Sequence, residues 1–261
     1  MNPFSLEGKV AIITGGGRGI GAEIARVFAE AGAAVALTAR TVSQVEEVAE
    51  EIRAAGGRAL PIAADLYDNA QLPNVIDKTV AEFGGIDVLV NNAGAGGSPS
   101  FSDTRAEHMQ EALQLMVIAP FELARLAAPS MLERPGASII NMTSVGYYRH
   151  TRGNLAHHTA KGAMAQFTRL LAADLGPKIR VNAIAPAAVE TPGLREVFDR
   201  NGPDMREVVT QHMRLRRMGT PADVAYAALY LASPAASWIT GTILDIDGGR
   251  VDEIAQKTPD L

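Results

Sequence analysis

The chain has 261 residues, 47% hydrophobic and 20% charged, with a formal charge of -5, which bounds it to one large or two small globular domains with a sizeable core. Its charges are scattered, which argues against a nucleic-acid or membrane partner, and the lack of cysteine excludes disulfides, thiolate zinc sites and a cysteine nucleophile. The start Met1-Asn2-Pro3-Phe4 has neither the basic residues nor the apolar run of a signal peptide, and no later stretch reads as long enough to span a bilayer, so the expected compartment is the cytoplasm.

Val10-Ala11-Ile12-Ile13 is a short apolar run stopped by glycines, as a strand buried on both faces requires. Ile20, Ile24, Val27 and Phe28 then recur at helical spacing up to Gly32, which predicts a helix over 19–32. The alternation continues through strand 34–39, helix 43–55, strand 58–63, helix 69–83 and strand 86–90. A long helix is expected over 103–133, bent by Pro120 and with Pro129 near its end. Strand 137–142, helix 154–175, strand 179–184 and a last strand near 242–246 complete the series. Strands alternating with helices imply right-handed crossovers, so the expected fold class is α/β: one doubly wound parallel sheet with helices on both faces, Rossmann-like, in a single domain over 1–261. Segment 187–218, rich in Arg, Met, Pro and Gly, breaks the rhythm and is expected to be a mobile substrate lid. A helix follows it with Thr220 as N-cap and Pro221 as first helical residue.

Thr14-Gly15-Gly16-Gly17-Arg18-Gly19-Ile20-Gly21 lies directly between the first strand and the first helix. Glycines there let the backbone turn tightly and approach a pyrophosphate, whose charge is met by the amides and dipole of the helix start. The alternative is a tight strand-to-helix turn that binds nothing. The second strand ends Leu37-Thr38-Ala39-Arg40, without the carboxylate that accepts hydrogen bonds from the ribose hydroxyls of NAD. Arg40 and Arg18 instead suit a 2'-phosphate, so the expected cofactor is NADP(H), although Arg40 taken alone reads equally as a solvated loop charge.

With Asp65 after the third strand, Asn91-Asn92-Ala93-Gly94 after the fourth and Asp247-Gly248-Gly249 near the end, the chain resembles the short-chain dehydrogenase/reductase family in motif order over about residues 8–249. The resemblance implies a cofactor site made of Thr14, Gly15, Gly17, Arg18, Gly19, Ile20, Gly21, Arg40, Asp65, Leu66, Asn92, Ala93, Gly94, Lys161, Pro186, Val189 and Thr191. By the same resemblance Asp65 contacts the adenine, Thr191 touches the nicotinamide amide, and Asn91 and Gly94 stabilise the sheet beside the cofactor; Asn91 could equally be a strand-end cap. Segment 181–186 also fits the family, with Ala187 standing where a glycine is common.

In that family a tyrosine four residues before a lysine handles the proton, and a serine 13 residues before the tyrosine polarises the substrate oxygen; here the three positions are His157, Lys161 and Ser144. Met116 aligns with the family's relay asparagine and cannot hydrogen-bond in its place. Residues 157 and 161 share one helical face, whereas His158 is rotated by about 100° and is expected to face elsewhere. Histidine starts near a pKa of about 6.5, and a neighbouring lysine and an oxidised nicotinamide push it lower, so a neutral imidazole is expected: a competent base and a poor acid. Carbonyl reduction by the family's usual route should therefore be weakened. Three functions stay open: an NADP(H)-dependent oxidoreductase with His157 as acid/base group, a non-redox lyase or retro-aldolase with His157 as base, and a catalytically silent NADP(H)-binding or scaffold protein.

Arg149, His150 and Arg152 could bind a carboxylate or phosphate of a small-molecule substrate, or could simply be solvated. Leu194, Val197, Phe198 and Met205 could wall the pocket, with Arg195 and Arg200 beside them. His108 and His212 stand alone, and no metal site is expected. Ala124, Ala127, Ala128, Leu170 and Leu171 exceed what one buried helix face needs; the resemblance makes them a homodimer or homotetramer surface, and the alternative is that they fill the domain's own core.

Overall fold

The computed structural model describes residues 2–249 except 98, 202 and 203, and the side chains of Arg200 and Asn201 also lie outside the described set. In chain order the strands are β1 (Val10–Thr14), β2 (Ala34–Ala39), β3 (Arg58–Ala63), β4 (Val88–Asn91), β5 (Ser138–Met142), β6 (Arg180–Pro186) and β7 (Ile243–Ile246). The helices are α1 (Gly19–Glu30), α2 (Val42–Ala54), α3 (Leu72–Phe83), α4 (Ala106–Leu113), α5 (Ala119–Leu132), α6 (Leu155–Leu175), α7 (Pro192–Asn201), α8 (Asp204–Gln211) and α9 (Pro221–Ala232).

The strands form one sheet in the order β3-β2-β1-β4-β5-β6-β7, with each neighbouring pair parallel. The chain starts in the middle, runs out through β2 and β3, and returns to place β4 on the other side of β1. At that reversal the crossovers leave in opposite directions and open a crevice at the carboxyl ends of the strands. Ile13 pairs with Val90 across it, which brings the ends of β1 and β4 together.

Alternation along β1 sends Ala11 and Ile13 into one apolar layer and Ile12 into the other. The first layer holds Ile24 and Phe28 of α1, Val45 and Ile52 of α2, and Val224 and Leu231 of α9. The second holds Leu72 and Val75 of α3, Leu123 and Met131 of α5, and Ala160 of α6. Each of these side chains larger than alanine contributes about 1.5–3 kcal/mol of transfer free energy, so both faces are firmly clamped. On α9 the reciprocal cap is in place: Thr220 Oγ1 accepts from the Asp223 amide at 3.3 Å and the Thr220 amide donates to Asp223 Oδ2 at 2.7 Å.

Three expectations are corrected. The long helix begins at Ala106 rather than 103, and a wide π-turn at Gln114–Ile118 precedes Pro120. Pro120 has no amide hydrogen for the Met116 carbonyl, and the helix absorbs the mismatch by widening, with the Ala119 amide donating to Gln114 O. This helix, Ala106–Leu132, is also long and apolar enough by length and composition to cross a bilayer, contrary to the sequence reading. Leu115, Met116, Ala119, Leu123 and Met131 are buried against the sheet, however, so it packs as a core helix. Finally, 187–218, read as a break in the rhythm of strands and helices, contains α7 and α8.

Candidate active site

The carboxyl ends of the strands line a cleft of about 900 Å³. Its floor is pinned where β1 meets β4. Thr14 Oγ1 donates to Val90 O at 3.3 Å and accepts from the amides of Asn92 and Ala93 at 2.9 and 3.0 Å. Asn92 Nδ2 donates in return to Thr14 O at 2.8 Å and to Gly15 O at 3.3 Å. Gly15 has φ +65°, a left-handed conformation that favours glycine. Gly21 faces a different constraint, since a Cβ there would collide with the Gly15 carbonyl oxygen and with Asn92 Nδ2.

Helix α1 starts from this turn with no side-chain cap and no acidic residue in its first turn, which leaves its positive end for an anion. Thr38 Oγ1 is buried with no hydrogen-bond partner among the described residues, and Thr38 lines the same cleft. Arg40 lies at the end of β2 with its guanidinium 5.8 Å from the Tyr67 ring centre. Arg18 Nη1 is 3.5 Å from Glu196 Oε1 on α7. Asp65 Oδ1 accepts from the Tyr67 amide at 3.1 Å. Gly17, Gly19, Ile20, Leu66, Gly94, Pro186, Val189 and Thr191 also line the cleft.

At the other end, Ser144 stands two residues past β5 with its Oγ accepting from the Gly146 amide at 3.2 Å. Thr143 Oγ1 donates to Lys161 O at 2.7 Å and ties α6 to this strand end. Lys161 is 5% exposed, and its Nζ donates to Met142 O at 2.6 Å. Burial alone lowers its pKa from 10.5 to about 8. A Cβ placed on Gly94 would be 3.6 Å from Lys161 Nζ and 3.7 Å from Met116 Sδ, so these two side chains converge on that glycine.

His157 Nδ1 lies 2.8 Å from Ala95 O. A carbonyl oxygen only accepts, so in the neutral ring Nδ1 carries the hydrogen and Nε2 keeps its lone pair. Burial first, then the Lys161 ammonium, lower the His157 pKa from 6.5 to about 4; the Ala95 hydrogen bond opposes them. His157 also borders a smaller cavity of about 100 Å³ lined by Met116, His108, Glu111 and Tyr67.

The structure brings Ser144, His157 and Lys161 to one cleft, but it changes the cast around them. His158 also lines the cleft, beside Gly146, against the expectation that it faces away. The signal was legible: Asn154, His157, His158 and Lys161 form an i, i+3, i+4, i+7 stripe, and a helical face is wide enough to hold all four. Gln44, Tyr67 and Glu196 line the cleft as well, unflagged by any motif.

Asn91 does not line the cleft; its Nδ2 donates to Asn141 Oδ1 at 2.9 Å, and Asn141 Nδ2 donates to Thr168 Oγ1 at 3.0 Å, a buried polar chain beneath α6. Arg149 is held by Asp247, 3.9 Å away, and by the Tyr148 hydroxyl at 3.1 Å, and neither it nor His150 nor Arg152 lines the cleft. Leu194 and Val197 line it; Phe198, Met205 and Arg195 do not, and the Arg200 side chain lies outside the described residues. Ala124 and Ala127 are 2% and 0% exposed within the chain's own core, so they are not surface available to a second copy.

A family model described as Enoyl-(Acyl carrier protein) reductase matches residues 15–250. The chain is 45% identical over 250 residues to an uncharacterized oxidoreductase of Mycobacterium tuberculosis (strain CDC 1551 / Oshkosh), covering 95% of this chain and 94% of that protein. It is 40% identical over 250 residues to 7alpha-hydroxysteroid dehydrogenase of Escherichia coli (strain K12), covering 95% and 96%. Among solved structures, a 7 alpha-hydroxysteroid dehydrogenase complexed with NADH and 7-oxo glycochenodeoxycholic acid superposes with TM-score 0.92 at 39% identity over 97% of this chain and 98% of that one. A Beutenbergia cavernae protein assigned as an NAD(P)-dependent gluconate 5-dehydrogenase, with NADP bound at low occupancy, gives TM-score 0.89 at 35% identity over 95% and 98%.

Proposed function

The chain belongs to the short-chain dehydrogenase/reductase family of oxidoreductases, and from that premise we propose that it uses NADP(H) to interconvert a small-molecule alcohol and its carbonyl, with His157 standing where the family has its catalytic tyrosine. The observation that carries this reading is the His157 contact with Ala95 O at 2.8 Å, which leaves Nε2 as a base in the same cleft as Ser144 and Lys161.

The cradle fits a phosphorylated dinucleotide. Gly15 and Gly21 leave room for a close backbone approach, the end of α1 is uncapped, and Thr38 Oγ1 lacks a partner among the described residues. Relatives include one structure with NADH and one with NADP, so family membership leaves the choice to this chain's own residues. A β2 end without a carboxylate, with Arg40 there and Arg18 in the glycine turn, supports NADP(H). Bound there, the nucleotide supplies the hydride donor or acceptor.

In the oxidation direction His157 Nε2 takes the hydroxyl proton, Ser144 Oγ holds the reacting oxygen, and the Lys161 ammonium favours negative charge developing on it. His158 and Asn154 take over the substrate contacts first sought in Arg149 and its neighbours, and Leu194 and Val197 supply an apolar wall. Segment 187–218 then acts as the lid. Ile118, Phe121 and Leu170, 42, 44 and 57% exposed, support a homodimer or homotetramer.

The test is an equilibrium titration with NADPH and NADH by nicotinamide fluorescence, followed by an absorbance screen of alcohols and carbonyls that starts with 7-hydroxysteroids. Tighter NADPH binding and a turnover that His157→Ala abolishes are expected. No binding of either nucleotide at about millimolar concentration, or turnover without any nicotinamide signal, would sink the redox assignment.

A further inference from the structure

We infer that Glu196, carried on α7, is a further determinant of nucleotide preference, competing with a ribose 2'-phosphate for the Arg18 guanidinium; the inference rests on the NADP(H) reading above. Arg18 Nη1 and Glu196 Oε1 are 3.5 Å apart, with side chains 57% and 58% exposed, and both residues line the cleft. The pairing follows from where α7 begins. A Cβ on Gly19 would lie 3.3 Å from Thr191 Cγ2 and 3.8 Å from Pro192 Cδ, and Thr191 Oγ1 accepts from the Leu194 amide at 3.2 Å. The first turn of α7 is thus seated against the glycine turn, and Glu196 lies one turn further on.

The two arginines suited to a phosphate are in different situations. Arg40 has the Tyr67 ring as its neighbour and no ion pair among the described residues, whereas Arg18 already has a carboxylate. Among the described residues the carboxylates lining the cleft are Asp65 and Glu196, and Asp65 Oδ1 is engaged by the Tyr67 amide. Glu196 is therefore the anion that a 2'-phosphate meets when it approaches Arg18. A guanidinium can share its donors between the two, but the carboxylate and the phosphate then repel each other across a short distance. A nucleotide with a free 2'-hydroxyl brings no such charge. Glu196 thereby holds the NADPH preference of the two arginines below its ceiling. Because it rides on α7, whatever affinity it subtracts is coupled reciprocally to the placement of that helix.

The experiment is a double-mutant cycle read by direct titration of NADPH and NADH against wild type, Glu196→Gln, Arg18→Ala and the double variant, at low and high salt. Glu196→Gln should tighten NADPH about twofold to fivefold while NADH changes less than about 1.5-fold, the scale of an exposed charge interaction. The gain should vanish in the Arg18→Ala background and shrink at high salt. An unchanged NADPH/NADH ratio in Glu196→Gln, or the same gain without Arg18, overturns the proposal. Glu196→Ala guards against an effect of the glutamine itself. Wild type binding NADH as tightly as NADPH would overturn the cofactor reading, and the ratio shift in Glu196→Gln would still decide the role of Glu196. Binding of neither nucleotide would overturn both.

Discussion

Its own burial first, and then the Lys161 ammonium one helical turn away on α6, lower the basicity of His157. The imidazole is held by Ala95 O at 2.8 Å, and the ammonium by Met142 O at 2.6 Å. The two groups therefore titrate in fixed positions, and their order along the pH axis has consequences for rate and for stability.

For the rate, His157 is deprotonated above a pH of about 4 and Lys161 keeps its charge up to about 8. The kcat/KM for alcohol oxidation should thus form a plateau bounded by these two values. In His157→Tyr the base starts near a pKa of about 10, so the rate should climb through the neutral range and level off only where Lys161 loses its charge, near pH 8. A wild-type profile that climbs in the same way would remove His157 as the base.

Acid should weaken the fold through His157. Its folded pKa of about 4 lies below the unfolded value of 6.5, so between these limits the unfolded chain binds more protons and stability falls as pH falls. The contribution is absent above 6.5 and complete below 4. His157→Gln, which can still donate to Ala95 O, should lose less thermal stability than wild type between those pH values. Parallel losses in calorimetry would contradict the assignment.

Lys161 works in the alkaline range. Its folded pKa of about 8 against 10.5 means that the cost of the buried charge is absent above 10.5, grows as pH falls, and is complete below 8. Lys161→Met should therefore stabilise the protein at pH 7 by about 1–3 kcal/mol, the loss of a donor to Met142 O being set against the relief of desolvation. The gain should shrink from pH 8 to 10.5. Denaturant unfolding at pH 7 and 10 measures it, and a destabilised variant at pH 7 would refute it.

Gly21→Ala should lower stability by about 1–3 kcal/mol even though alanine is the better helix former, because its Cβ would meet the Gly15 carbonyl and Asn92 Nδ2. The turn must shift to make room, and NADPH affinity should fall with it. A variant with wild-type affinity and thermal midpoint would show that the turn has slack.

Much of this was readable in the chain because it depends on local spacing. Buried strands announced themselves as apolar runs, and the strand-helix alternation implied the parallel sheet that is found. Gly15 and Gly19, at φ +65° and +58°, could be read as turn glycines because few other residues take that conformation. What escaped detection lay in side-chain partnership. Arg149 looked available for a ligand and is held by Asp247, 98 positions away. Asn91 was expected to stabilise the sheet and does so through a partner that spacing could not name, Asn141 of β5, while the adjacent Asn92 pins the glycine turn. In 187–218 the composition suggested only a break in the rhythm, and the spacing of Leu194, Val197 and Phe198 was the sign of α7.

The sequence by itself determined the order of strands and helices, the glycine turn between β1 and α1, and the shared helical face of His157 and Lys161, because each follows from periodicity or backbone sterics within a few residues. Only the tertiary structure decided the tautomer of His157, the depth at which Lys161 is buried and the partner of Arg18. Each of those is set by an atom from a distant segment, Ala95 O, Met142 O or Glu196 Oε1, brought near when the crossovers close over the switch point of the sheet.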